Sequence, residues 1–177
     1  YLTRLGQGGM GEVSLAKQES LDRNVAIKLL PPELSKDKAY VQSFMKEARS
    51  AGKVTHENIM GSIDVGESNG RYFFVMEYVE GETLFRLIKQ QKTIPEAKAL
   101  EIARQVARGL RHAYQIGLIH RDIKPQNILI IPETGDLKIM DFGIARVSEM
   151  KGGASGLTTA GTVKGTPDYM PPEQAQG

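Results

Sequence analysis

Apolar and polar residues alternate in several short stretches near the start of the chain, the period-2 pattern of half-buried strands. Five strands are predicted in this part, at residues 1–8, 11–17, 24–30, 59–66 and 71–79. Glycines separate the first two, and Asn69-Gly70 separates the last two, which is a strong hairpin cue between apolar runs. The first eighty residues are therefore expected to form mostly antiparallel sheet.

One helix is predicted within this strand-rich part, over residues 38–53. Its apolar residues recur at i, i+3, i+4 and i+7, so that they share one face; they are Val41, Phe44, Met45 and Ala48. Pro31-Pro32 ends the preceding strand, because proline cannot donate to a strand ladder. Ser35 or Asp37 is suited to cap the helix start.

The pattern becomes helical from residue 82 onward. Pro95 suits a first helical turn, and a helix is predicted from there to about residue 116, with Ile102, Val106, Leu110 and Ala113 on one side. Short strands are predicted near 128–131 and 136–140, followed by a Gly-, Ser- and Thr-rich loop over 147–165. The fold class is therefore α+β, with a small sheet part preceding a mainly helical part.

Composition excludes several functions. The 177 residues suffice for one core, or one split into two small lobes. A net charge of +2 argues against a protein that coats nucleic acid. Without cysteine there is no disulfide framework, thiolate metal site or cysteine nucleophile, which fits a reducing cytosol. No apolar run reaches membrane-spanning length and no leader opens the chain, and both ends look cut.

The glycine cluster at residues 6–11 is the first candidate binding element. Its pattern fits both a phosphate-covering hairpin loop and a dinucleotide-binding turn, and a plain glycine hairpin is the alternative. A dinucleotide turn opens a helix that holds the pyrophosphate. Residues 12–17 alternate like a strand instead, which argues against a dinucleotide-dependent oxidoreductase.

Lys28 lies in an apolar strand, on the same face as Ala26. A buried lysine needs an anion nearby. Glu47, one turn from Phe44 on the inward face of the predicted helix, is the candidate. The alternative is an unrelated lysine and glutamate at the surface.

The ordered series of motifs is more specific than any one of them. It continues with His120-Arg121-Asp122-Ile123-Lys124-Pro125-Gln126-Asn127, Asp141-Phe142-Gly143 and Pro171-Pro172-Glu173. In this order the chain resembles a Hanks-type serine/threonine protein kinase, and the resemblance covers residues 1–177. The amino-acid sequence of several segments is similar to that of bacterial members of the family. One such segment is Gly165-Thr166-Pro167-Asp168-Tyr169-Met170.

This resemblance implies ATP and Mg²⁺ as cofactors and assigns a role to each motif. Asp122 would accept or orient the substrate hydroxyl, and Lys124 would stabilise the transferring phosphoryl group. The metal ligands would be Asn127 and Asp141. Three further catalytic positions are implied: Lys28, Glu47 and Thr166. Glu47 would brace Lys28 against the phosphates, and Thr166 would lie beside the catalytic loop. His120 is expected to pack structurally.

The resemblance also implies a nucleotide pocket. Backbone groups of Glu77 and Val79 would meet the adenine edge, with Met76 as gatekeeper and Thr83 facing the ribose. The remaining positions would cover the phosphates or sandwich the ring: Gly6, Gln7, Gly8, Gly9 and Gly11 for the phosphates, and Val13, Ala26 and Leu129 for the ring. Plain core packing is the alternative for each apolar residue.

The implied partners are protein substrates carrying serine or threonine, and ATP, with no nucleic acid. Arg121 would pair with a phosphorylated threonine of the activation loop, Thr158 or Thr162. This implies autophosphorylation, with a kinase dimer as the assembly in which one chain would phosphorylate the other. The implied location is the cytoplasm, for a protein that is either free there or the cytoplasmic part of a membrane-anchored protein.

The resemblance implies a first lobe with hinge at 1–80 and an incomplete second lobe at 81–177, because the family's domain continues beyond Glu173. Apolar faces within 95–140 are then expected to lie open to water. Two other functions stay open. A pseudokinase acting as an interaction module is disfavoured by intact Lys28 and Asp122, and a small-molecule phosphotransferase by the activation-segment residues.

Overall fold

The computed structural model describes residues 2–8, 11–142, 169 and 171–172, with the side chains of Gln7 and Glu47 outside the description. Its first part is a five-stranded antiparallel sheet in the order β1-β2-β3-β5-β4. The strands are β1 (Thr3–Gly8), β2 (Gly11–Gln18), β3 (Arg23–Leu29), β4 (Ser62–Ser68) and β5 (Arg71–Glu77). The predicted strand-rich N-terminal part is confirmed, with ends shifted by a few residues.

Local sequence explains the turn between β4 and β5 and the start of β2. Asn69 and Gly70 link β4 to β5 with positive φ angles of 51° and 72°, the conformation that Asn-Gly favours in a two-residue turn. Gly11 starts β2 with φ 120°, and a Cβ there would lie 2.1 Å from the Leu29 carbonyl oxygen. Glycine is therefore required at residue 11 by both backbone conformation and space.

Two helices cover one side of the sheet, the short α1 (Pro32–Ser35) and the longer α2 (Lys38–Ala51). Asp37 caps α2, since its side chain accepts from the backbone N–H groups of Ala39 and Tyr40. The inward face of α2 packs in a core cluster with β3 and β5, and Phe44 is 1% exposed. The predicted helix and one of its two proposed caps are confirmed, whereas α1 was not predicted.

The second part combines two helices, of 8 and 20 residues, with a small sheet. Its elements are β6 (Glu82–Thr83), α3 (Leu84–Gln91), α4 (Glu96–Gln115), β7 (Ile128–Ile130) and β8 (Leu137–Ile139). The order β6-β7-β8 forms a three-stranded antiparallel sheet, and a 3-10 turn at Pro125–Asn127 leads into β7. The predicted α4 face is confirmed, with Ile102 and Ala113 buried and the two other residues partly buried. Strand β6 was not predicted.

The two parts meet along β8. The Ile139 N–H donates to the Asn58 carbonyl at 2.8 Å, and the Met60 N–H donates to the Ile139 carbonyl at 2.9 Å. Buried side chains reinforce this seam, because the Asn58 amide donates to Gln105 Oε1 at 2.9 Å and the Leu137 N–H donates to the same oxygen at 3.1 Å. The backbone just before β4 is thereby fixed to β8 and α4.

Large apolar residues remain exposed on the second part, both on α3 and within residues 95–140, where open apolar faces are expected. They are Phe85 and Ile88 on α3, and Leu100, Tyr114, Ile116 and Ile119 within 95–140. Within the described residues, no helix combines the length and apolar character needed to cross a membrane.

Candidate active site

The loop after α4 is organised by a buried histidine. His120 Nδ1 accepts the backbone N–H of Asp122 at 3.2 Å, so Nε2 carries the proton and donates to the Met140 carbonyl at 2.7 Å. Burial lowers the pKa of His120 below its usual 6.5, which keeps the ring neutral. The expectation of a structural role fits these contacts, because His120 joins the loop of Asp122 to the end of β8.

Asp122 is held by two neighbours on the same loop. Asn127 Nδ2 donates to Asp122 Oδ2 at 2.9 Å and to the Asp122 carbonyl at 2.8 Å. Lys124 Nζ lies 2.8 Å from the same Oδ2. Because both contacts use Oδ2, the second carboxylate oxygen, Oδ1, is left to receive a hydrogen bond from another molecule.

Arg121 lies between His120 and Asp122 with a positive φ of 68°. A non-glycine residue in this region carries strain on the order of 1–3 kcal/mol, which surrounding contacts must hold. Its side chain is exposed and forms no ion pair with any residue in the described part of the chain. The strained backbone thus separates a buried histidine from a partly exposed aspartate.

The anion beside Lys28 in this structure is Asp141. Lys28, 3% exposed on β3, places Nζ 2.7 Å from Asp141 Oδ1. Burial alone would raise the pKa of Asp141, but attraction to the Lys28 ammonium and the hydrogen bond from it outweigh burial and lower that pKa. The proposed partner Glu47 is on α2, and its side chain lies outside the described residues.

Asn127 and Asp141 are brought together by backbone pairing, since the Met140 N–H donates to the Asn127 carbonyl at 2.8 Å. With its amide nitrogen used by Asp122, Asn127 has its side-chain oxygen free for a cation. No group of three or more His, Asp or Glu that could hold a metal occurs in the described residues. One carboxylate and one amide oxygen fit Mg²⁺, which often completes its shell with phosphate and water.

Phe142 follows Asp141 and packs against the catalytic loop through His120. It is buried and meets the His120 ring edge-on, with centroids 4.6 Å apart and planes at 65°. A small cavity extends behind it, lined by residues that include Ala51, Met60 and Met76. Gly143 lies outside the described residues.

The residues predicted for the nucleotide base line the inner part of the sheet and β7. Ala26 and Met76 are buried partners across β3 and β5, and Leu129 is buried on β7. Val13 and Val79 are partly buried. These positions share the apolar character that a site for an aromatic base requires.

Thr83 has a local contact that the sequence did not indicate. Its hydroxyl oxygen accepts the Arg86 N–H at 3.3 Å and caps α3. This contact uses the hydroxyl oxygen as acceptor and leaves the hydroxyl hydrogen unused.

The predicted glycine hairpin is present. Gly6 pairs with Val13, Gln7 with Glu12 and Gly8 with Gly11. A strand follows the glycines, as the alternation predicted, and no helix begins there. Gly9 lies outside the described residues, as do Thr158, Thr162 and Thr166.

Several polar residues at the site were missed at the sequence level. Lys138 on β8 places Nζ 2.8 Å from Glu77 Oε1, and Asn58 and Gln105 are buried and mutually bonded. The alternation of Leu137-Lys138-Ile139 could have shown that Lys138 faces away from the core. Nothing in the sequence pattern could pair it with Glu77, 61 positions earlier.

Comparison with known proteins places this geometry in a family. The model of the protein kinase domain matches residues 1–177. Serine/threonine-protein kinase pkn3 of Myxococcus xanthus is 40% identical over 98% of this chain and 32% of its own length. PrkC of Bacillus subtilis is 41% identical over 98% of the chain and 26% of its own length. The chain thus spans about a third or less of these relatives.

Solved structures agree. The crystal structure of the Mycobacterium tuberculosis PknI kinase domain superimposes with a TM-score of 0.72 at 30% identity, covering 80% of this chain and 58% of that one. The two-lobed α+β architecture expected from the motifs is therefore confirmed. The chain belongs to the protein kinase domain family, and its relatives are bacterial serine/threonine-protein kinases.

Proposed function

We propose that this chain is the nucleotide-binding and catalytic part of a protein serine/threonine kinase that transfers the ATP γ-phosphoryl group to protein hydroxyls. The observation that carries this proposal is the arrangement around Asp122, with one carboxylate oxygen held by Lys124 and Asn127. Lys28 on β3 pairs with Asp141, and the neighbouring Met140 N–H donates to the Asn127 carbonyl of the Asp122 loop at 2.8 Å. Together they supply positive charge for phosphates and a proton acceptor.

Nucleotide binding is proposed to redistribute the Lys28–Asp141 pair. The Lys28 ammonium would contact α- and β-phosphate oxygens, and the Asp141 carboxylate would turn its charge toward a cation. Mg²⁺ held by Asn127 and Asp141 would neutralise charge on the β- and γ-phosphates. The glycine hairpin at residues 6–11 would cover the phosphates with backbone N–H groups.

Transfer then needs only a positioned hydroxyl. Asp122 Oδ1 accepts the proton of the substrate hydroxyl. As the proton leaves, the hydroxyl oxygen bonds to the γ-phosphorus, and the bond between that phosphorus and the β–γ bridging oxygen breaks. Lys124 offsets charge on the transferring group. The products are a phosphorylated side chain and ADP.

Regulation is proposed to use the exposed Arg121. Its guanidinium has no ion pair in the described part of the chain and is free to bind a phosphothreonine at Thr158 or Thr162. Autophosphorylation between two kinase copies in the cytoplasm would supply that group, with Thr166 hydrogen-bonding beside Asp122. Residues 1–80 and 81–177 are proposed to act as the two lobes.

Thermal unfolding of the full-length protein with and without Mg-ATP tests nucleotide binding. At a hundredfold excess over Kd, a ligand specific to the folded state stabilises it by about 2.7 kcal/mol. Lys28→Met should reduce the shift. Lys17→Met, which breaks an exposed ion pair with Asp22, should leave it unchanged.

Phosphoryl transfer to serine and threonine of a protein substrate is then measured with the same proteins. A shift with transfer supports the kinase proposal. A shift without transfer would instead support the interaction module, and no shift in the wild-type protein contradicts nucleotide binding.

A further inference from the structure

Glu77 is the last residue of β5 and the first of the segment proposed to meet the adenine edge, and three contacts hold it. Its Oε1 accepts the Gly61 N–H at 2.6 Å and the Lys138 ammonium at 2.8 Å. Its own backbone N–H donates to the Gly61 carbonyl at 2.9 Å. We call Gly61, Glu77 and Lys138 the hinge clasp.

The hinge clasp is partly shielded from water. The side chains of Lys138 and Glu77 are 18% and 34% exposed. A charge-assisted hydrogen bond in such surroundings is stronger than an ion pair between freely exposed side chains. A Cβ at residue 61 would lie 3.2 Å from Glu77 Oε1, so the carboxylate packs closely against the glycine backbone.

Lys138 connects the clasp to the site of chemistry. It lies on β8 between Leu137 and Ile139, which are both fully buried and fix the strand. Asp141, the proposed metal ligand, follows three positions later and pairs with Lys28. Strand β8 therefore carries the cation that holds the proposed adenine-reading segment, and the proposed metal ligand follows two residues after the strand ends.

We propose that Lys138 is a positioning residue for the nucleotide, acting through Glu77 to hold the backbone at residues 77–79 in register with the phosphate and metal end of the site. This inference rests on the proposed function, because it assigns the base-reading edge to Glu77 and Val79. It extends that function by making selectivity for adenine depend on a side chain from β8.

The test compares Lys138→Met, which keeps the long side chain without its charge, with Lys138→Arg, which keeps the charge. Calorimetry on the full-length protein measures Kd for Mg-ADP and Mg-GDP, and kinetics measure KM for ATP and kcat. For Lys138→Met we expect Kd for Mg-ADP to rise about tenfold, of the order expected for losing a hydrogen bond to a charged group. Kd for Mg-GDP should rise less, so the preference for adenine falls.

KM for ATP should rise in parallel while kcat stays within about twofold, because an interaction common to ground and transition states is lost. Lys138→Arg should restore most of the ADP preference. Lys17→Met, which breaks an exposed pair on the same sheet, should leave both Kd values unchanged.

The outcomes separate cleanly. If the ratio of the Kd values for Mg-ADP and Mg-GDP is unchanged in Lys138→Met, the inference is overturned. This holds even if the melting temperature of the variant falls or its activity rises. If Lys138→Met does not fold, Glu77→Gln replaces it, since glutamine still accepts from Gly61 but lacks the negative charge that attracts Lys138. An unchanged ratio there also overturns the inference. A wild-type protein that binds neither nucleotide contradicts the proposed function itself.

Discussion

Asp122 combines a fixed carboxylate oxygen with a free one. Lys124 and Asn127 both contact Oδ2, which sets the direction in which Oδ1 faces an incoming hydroxyl. Such orientation is worth most when the proton acceptor cannot rotate away. The two neighbours therefore serve the geometry of Asp122 as well as any contact of their own with phosphate or metal.

Asp122→Asn should keep the fold and the nucleotide site but lose the proton acceptor. We expect kcat for phosphoryl transfer to fall by roughly 10²–10⁴, the usual contribution of general-base catalysis. The melting shift produced by Mg-ATP should be nearly unchanged. Asp64→Asn, at an exposed position on β4, is the matched control and should retain the wild-type rate. A rate above a tenth of wild type for Asp122→Asn would remove the base role.

His120 gives a pH-dependent stability with a defined sign. Its pKa is lower in the folded protein than the usual 6.5, because burial disfavours the charged ring. The unfolded chain then binds a proton more readily, so this contribution is complete above about pH 6.5 and is lost as pH falls below it. Melting temperature should therefore decrease from pH 7 toward pH 5.

His120→Gln, which keeps a donor and an acceptor without titrating in this range, should make that decrease shallower. His56 has a pKa lowered by burial and by the nearby His112, so part of the slope remains in the variant. Equal slopes in wild type and His120→Gln would show that His120 does not contribute.

At the scale of elements, the hairpin of β1 and β2 depends on one glycine more than on its neighbours. Gly11→Ala would place Cβ against the Leu29 carbonyl oxygen and force an unfavourable φ. We expect a loss of unfolding free energy of about 1–3 kcal/mol, measured by chemical denaturation. Gly6→Ala is the control, because no atom lies within 4 Å of a Cβ there. Similar losses in both variants would contradict this steric explanation.

Local patterns predicted the longer elements well. Helix α2 combines a helical apolar period with a capping aspartate, and the β4–β5 hairpin has Asn69-Gly70 at its turn. The short elements α1 and β6 escaped prediction because four and two residues are too few for a period. Tertiary contacts, such as the pairing of Thr83 with Leu129, stabilise them instead.

At the scale of the whole molecule, Gln105 joins three segments. It accepts from Asn58 and Leu137 and donates to the Gly135 carbonyl at 3.2 Å. Gln105→Leu would leave the buried Leu137 N–H without its acceptor and remove one of the two acceptors of Asn58 Nδ2. One unpaired buried group costs about 1–3 kcal/mol. We expect a loss of unfolding free energy of at least about 2 kcal/mol by denaturation. Gln115→Leu, at the exposed end of the same helix, should change stability little.

The motifs supplied the residues proposed for the site, whose roles stay predictions, but not all their pairings in this structure. Their order was enough to anticipate that Lys28, Asp122 and Asp141 would converge. It did not anticipate that Lys28 pairs with Asp141, since several anions could satisfy a buried ammonium. The seam around Asn58 was also invisible, because its partners are 47 and 79 positions away. The roles of Thr158, Thr162 and Thr166 stay predictions.

The seam along β8 has a consequence for synthesis of the chain on the ribosome. Every strand of the five-stranded sheet lies within the first 77 residues, so the sheet can assemble while the rest is still being translated. Residues 58–60 acquire their hydrogen bonds to Ile139 only after that residue has left the exit tunnel. The order of the segments thus allows a nascent chain to hold a formed sheet beside a seam that stays open until Ile139 has emerged.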